Sequence, residues 1–123
     1  MYPHAEMTEK IIAVAIEGHT HLGPAFHESV YQTALAHEMT LQQISYQKEM
    51  SIQVTYKGTT VGQYRLDFLV EDEVVVELKA ISALALVHTS QMLSYLAIPE
   101  KKVGLLLNFG QVRLVDGIKR IVH

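Results

Sequence analysis

Cysteine is absent from this 123-residue chain. That excludes a disulfide framework, a cysteine nucleophile and any thiolate metal site, and it fits a reducing compartment. Long apolar runs are missing too. The longest near the start, Ile11 to Ile16, is far short of the ~20 residues that a bilayer requires. The N-terminus lacks the basic-then-apolar order of a secretory signal, and Glu6, Glu9 and Glu17 interrupt it. The three prolines and seven glycines stand singly, so nothing reads as a linker, and neither a repeat nor a low-complexity stretch occurs. These absences read as one domain over residues 1–123, cytoplasmic, with no membrane partner. Positive charge is scarce as well: 10 Lys and Arg stand against 13 Asp and Glu, for a formal net charge of -3. A protein that grips nucleic acid by charge alone is thereby excluded.

What is present is ordinary for a globular protein, with 49% hydrophobic and 19% charged residues and enough length to bury a core. Hydrophobic period divides the chain. Ile11, Ile12, Ala15, Ile16 and His19 recur at helical spacing and predict a helix over 6–21, which Gly23 and Pro24 stop. Val30, Tyr31, Ala34, Leu35 and Met39 predict a second helix over 28–42. Period two follows. Ile52, Val54 and Tyr56 alternate with polar residues, and Lys57-Gly58 marks a turn. Residues 61–70 and 74–80 read as two further strands joined by Glu71-Asp72-Glu73. Helical spacing returns over 83–97 through Leu84, Val87, Met92 and Leu96 until Pro99. Residues 103–109 form a dense apolar run, expected as a central strand buried on both faces. Residues 112–115 read as a shorter strand, and Asp116-Gly117 as a hairpin into a last strand through Ile118 and Ile121. This order predicts an α/β (α+β) fold: a mixed sheet with helices on its faces and a parallel crossover through the third helix.

The most informative stretch is the hairpin around the acidic loop. A loop of residues 71–73 pairs Val70 with Val74. Continued, that register puts Asp67 opposite Glu77 and Arg65 opposite Lys79, all on one face, because residues two apart on a strand share a face. The other face carries Leu66, Phe68, Val70, Val74, Val76 and Leu78 and must be core. Opposed residues hold their Cβ atoms about 4.5–5.5 Å apart, so two carboxylates there repel. A hard divalent cation with oxygen ligands, such as Mg²⁺, compensates such repulsion. Lys79 is then placed to orient a water or to stabilise charge on a phosphate. This is the composition of a phosphodiester-cleaving site. The hairpin alone leaves another reading open, in which Arg65 and Lys79 neutralise Asp67 and Glu77 in a cross-strand lattice on a solvated face.

An acid on one strand followed by Glu77-Leu78-Lys79 on the next resembles the PD-(D/E)XK nuclease superfamily, with Leu66 where its pattern has proline before the acid. The resemblance extends to the small GxxExxY family within it. Residues 22–31 look like the name-giving motif through Glu28 and Tyr31, with Ala25 at the motif glycine. It continues through Tyr64-Arg65-Leu66-Asp67, Val76-Glu77-Leu78-Lys79-Ala80, the pair Gln91 and Tyr95, and Leu107-Asn108-Phe109-Gly110. The motifs fall in order from about Ile11 to Arg120. The resemblance implies a restriction-endonuclease-like αβββαβ core and Mg²⁺ or Mn²⁺ bound by Asp67, Glu77 and Glu28. It also implies Lys79 in the catalytic set, and Gln91 and Tyr95 on the helix after the hairpin as substrate contacts.

Several of these residues also have simpler reasons to be where they are. Glu28 opens its helix, where the dipole favours a carboxylate. Gln91 and Tyr95 are four apart and share a helix face. Tyr31 is expected in the core with its hydroxyl bonded. Of the seven histidines, His88 is the one kept as a substrate or phosphate contact, with Arg65, because it lies three residues before Gln91. The others lack zinc-ligand spacing. The expected activity is metal-dependent hydrolysis of DNA. The alternatives are a catalytically silent nucleic-acid-binding or protein-assembly module of the same fold, which the acidic balance favours, and a phosphoesterase acting on small nucleotides. A homodimer, paired through the exposed face of the C-terminal strands, fits all three.

Overall fold

A computed structural model describes residues 3–123. The chain runs through α1 (Ala5–Leu22), α2 (Glu28–Leu41), β1 (Tyr46–Tyr56), β2 (Thr59–Val70), β3 (Val74–Lys79), α3 (Leu86–Ala97), β4 (Val103–Asn108), a 3-10 turn (Leu114–Gly117) and β5 (Ile118–Val122). The strands form one five-stranded sheet in the order β1-β2-β3-β4-β5. β3 and β4 run parallel, with α3 as their crossover, and every other neighbouring pair is antiparallel. This is the expected mixed sheet, consistent with a restriction-endonuclease-like fold.

An apolar layer covers each face. On one, α1 and α2 bring Ile11, Val14, Tyr31, Leu35 and Met39 into the cluster with Phe68, Val76, Leu78, Leu105 and Leu107. On the other, Met92, Tyr95 and Leu96 of α3 cluster with Leu69, Val75, Leu106 and Ile121. β4 is buried along its whole length, as a strand flanked by two others and covered on both faces must be. Among the described residues, no helix is long and apolar enough to cross a membrane.

The expected register of β2 on β3 holds for three pairs, Val70–Val74, Leu69–Val75 and Phe68–Val76, and then stops. The break coincides with a left-handed residue in β1. Glu49 takes a φ of 58°, and no Glu49–Asp67 pair occurs between Lys48–Phe68 and Met50–Leu66. The alternation of β2 slips at this point. Leu66, expected beside Phe68, lies in the α3 layer instead. Arg65 pairs with Ser51 and stays exposed, so it does not come opposite Lys79. Beyond the slip, β1 and β2 continue as a two-stranded arm closed by Lys57-Gly58, both at positive φ as a type I′ turn requires. Ile52 and Leu66 hold the arm against α3.

Two other expectations fail. Residues 112–115 form no strand. They bend into the 3-10 turn, burying Leu114 in the α1 and α2 layer while Val112 and Val115 remain exposed. Strand propensity records fit to a half-buried surface, and here no surface receives these valines. The third helix starts at Leu86 rather than 83, and Val87 of its expected apolar stripe is exposed.

Two glycines mark close approaches of unequal stiffness. A Cβ on Gly104 would meet the flexible Met92 Sδ at 2.5 Å, whereas one on Gly110 would meet the Ile81 backbone oxygen at 2.3 Å. Overpacking of a core costs about 1–3 kcal/mol. Urea denaturation should place Gly104→Ala near the lower bound and Gly110→Ala at or above the upper one. Equal losses would show that the segment around Ile81 yields as easily as a methionine side chain.

Candidate functional site

Where β2 leaves β3, side chains take over the hydrogen bonding. The Asp67 backbone N–H donates to Glu77 Oε2 at 2.6 Å, and the Leu78 N–H donates to Asp67 Oδ2 at 2.8 Å. Each carboxylate thus accepts a bond from the other's strand. Asp67 Oδ1 also accepts from Gln32 Nε2 of α2 at 2.6 Å. Sequence reasoning missed Gln32. Its one signal is its place four residues after Glu28, on the same helical face.

The position of Glu28 is set by the turn before α2. The Tyr31 hydroxyl donates to the Gly23 carbonyl and accepts from the Phe26 N–H at 3.1 Å. The buried ring stacks on Phe109 with centroids 4.6 Å apart. Phe109 in turn donates its N–H to the Lys79 carbonyl at 2.7 Å, and its own carbonyl accepts from His19 Nε2 at 3.0 Å. Beside it, fully buried Asn108 accepts at Oδ1 from the N–H groups of Ile81 and Gly110, both at 3.1 Å. The two helices and the ends of β3 and β4 therefore meet around Phe109. His19, Asn108 and Phe109 had no individual sequence signal beyond their helical spacing or motif.

The structure brings Glu28, Asp67, Glu77 and Lys79 into one electrostatic group. Burial, reinforced by the charge of Asp67, pushes the Glu77 carboxyl up to about 8. Asp67 is raised by burial, against the opposing pull of the Leu78 N–H and Lys79. Glu28 is raised by burial and by Asp67, with Lys79 again opposing. The Lys79 ammonium thus acts on all three acids, and its Nζ lies 3.5 Å from Gln91 Oε1. Tyr95 is buried on the same helix. Its hydroxyl is raised by burial and then by the charge of Glu77.

Two expected contacts take other positions. Arg65 stays on the outer part of β2, as described. His88 Nδ1 accepts from the Ala85 N–H at 2.8 Å, so this ring caps α3, an economical use of a side chain three residues into a helix.

As donors, Asp67 and Glu77 fit a hard divalent cation: they offer only oxygen, and their charges oppose one another in a partly buried place. A carboxylate has about four lone-pair sites, so the hydrogen bonds to the backbone leave room for one. Among the described residues, no three His, Asp or Glu side chains are gathered closely enough to hold a metal ion.

Comparison with known proteins adds one finding. A family model of the PD-(D/E)XK nuclease superfamily matches residues 5–121. No curated protein and no solved structure matches significantly.

The raised Glu77 carboxyl has a pH signature. Below its ordinary value of 4.5 the group is protonated whether the chain is folded or not. As pH rises toward about 8, the unfolded chain ionises first and the folded state loses relative stability. Thermal melts without added metal should therefore show Tm falling across that window in wild type, with a shallower fall in Glu77→Gln. The two proteins should be nearest in stability at low pH. Parallel curves would mean that Glu77 ionises normally in the folded chain.

Proposed function

The chain belongs to the PD-(D/E)XK nuclease superfamily, and from that premise we propose that it hydrolyses phosphodiester bonds of DNA, with Mg²⁺ or Mn²⁺ held by Asp67 and Glu77 and with Glu28 as the outlying third acid, since no three acids are gathered into a ready cluster among the described residues. The observation that carries this reading is the reciprocal bonding that holds half-buried Asp67 and buried Glu77 together, within the field of the Lys79 ammonium. A bound divalent cation would offset that charge and act as a Lewis acid toward a phosphate oxygen.

The chain's own residues have separate tasks in this reading. Gln32 and the Leu78 N–H orient Asp67, and the Asp67 N–H orients Glu77. Lys79 extends from a strand end pinned by Phe109. Its ammonium donates toward the attacking water and the charge developing on the phosphate. Gln91 steadies that ammonium and, with Tyr95, faces the substrate from α3. Exposed Arg65 adds positive charge from the arm. We place the chain in the GxxExxY family. The lock that Tyr31 forms over the turn before Glu28 gives the E-x-x-Y spacing a structural reason. A homodimer would give this small core a second copy with which to span a duplex.

One observation favours a second reading, the silent module. Asp67 and Glu77 already each accept a backbone N–H, and no three-ligand cluster stands ready among the described residues.

Purified protein should cut DNA with Mg²⁺ or Mn²⁺ and stop with EDTA, and Glu77→Ala or Lys79→Ala should each lower the rate by about 100-fold or more. Cleavage that persists in both variants marks a contaminant and removes the assignment. Calorimetry separates the alternative: an intact fold that takes up neither metal at millimolar concentration is the silent module.

A further inference from the structure

Beside the acids, between the arm and α3, lies an open groove of about 290 Å³ lined by Val54, Tyr64, Gln91, Ser94, Tyr95 and Ile98. That is close to the lower end of small-ligand sites, about 300 Å³, and suits one ring system rather than a whole nucleotide. Tyr64 is half exposed, while its neighbour Tyr95 is buried, and their ring centroids are 5.7 Å apart. We infer that this groove receives an unpaired nucleobase of a single-stranded nucleic acid, stacked on Tyr64, next to the bond that the acids and Lys79 address. The inference rests on the nuclease reading and deepens it.

Charge decides which part of a nucleotide fits. The six lining residues carry no cation, and the neighbouring side chains include the acids Glu77 and Asp67, whose field reaches Tyr95. A phosphate finds no partner here, whereas an uncharged base does. The lining also supplies what a base edge needs. Gln91 turns its Oε1 toward Lys79, which leaves its amide N–H groups for an acceptor. Ser94 donates its hydroxyl to the Ser90 carbonyl, which leaves the oxygen as an acceptor. Val54 and Ile98 add apolar walls. Stacking of this kind tolerates any base, and it requires a base that is already out of a duplex. Single strands or frayed ends are therefore the substrate form, and Tyr64 is the residue that selects them.

The test reads binding apart from cleavage. In EDTA and low salt, the full chain is titrated into short single-stranded DNA carrying 2-aminopurine at successive positions, and into the same sequence as a duplex. Wild type and Tyr64→Phe should quench the probe in the single strand at one or a few positions. Tyr64→Ala should weaken binding by about tenfold, within the range for losing one base stack. Tyr64→Leu, which keeps apolar cover over Tyr95, should do the same and guards against a folding defect. Glu77→Ala should retain the quench while losing cleavage in Mg²⁺. Equal affinity across wild type, Tyr64→Ala and Tyr64→Leu overturns the base site, as does equal affinity for the duplex. If the protein cleaves DNA but shows either result, the nuclease reading stands and the groove does not. If quenching depends on Tyr64 but no cleavage occurs, the groove stands and catalysis falls.

Discussion

The site depends on an exchange of hydrogen bonds between two strands that have stopped pairing. After Phe68–Val76 the β2–β3 ladder ends, and the next backbone donors would be orphaned in a buried place. Asp67 and Glu77 supply the missing acceptors with their side chains. Each carboxylate satisfies the other strand's amide, so the two cannot separate without leaving buried N–H groups unpaired, a loss of about 1–3 kcal/mol each. The same bonds hold two acids where burial and mutual repulsion disfavour their charge. Placement and electrostatic tension thus have one cause.

Phe109 distributes that geometry through the molecule. Its ring stacks on Tyr31, its carbonyl meets His19, and its amide holds the end of β3 at Lys79. Lys79 and Glu28 belong to elements distant in sequence, yet both are positioned from this one residue, Glu28 by way of Tyr31. Asn108 closes the arrangement by tying down the segment after Lys79. An acid on a helix and a lysine on a strand thus keep a common reference point.

Local periodicity made much of the fold legible. The helical stripes of α1 and α2, the apolar run of β4, the loop of residues 71–73 with its first three pairs, and the bonded core position of Tyr31 all follow from residues acting on near neighbours. Strand alternation failed at Asp67, where the slip coincides with Glu49 of the partner strand, a non-glycine residue in a left-handed conformation that no local pattern announces. Leu66 therefore changed layers, and Arg65 lost its expected partner. His88 was read as a substrate contact from its spacing to Gln91, whereas its bond to the Ala85 N–H at the helix start depends on a backbone geometry that spacing does not reveal. Gln32 was hidden because an amide on a helix face is common, and only tertiary packing gives this one a carboxylate to hold.

The slip at Asp67 also divides the hairpin mechanically. On the sheet side, β2 has a neighbour on each edge. On the far side it has only β1, and a two-stranded hairpin is marginal by itself in water. Amide hydrogen exchange would therefore start in the arm and run down to the Glu49 and Asp67 level before touching the core, an opening below the global one. The acids stand at that boundary, with the two-stranded arm on one side and the fully paired sheet on the other.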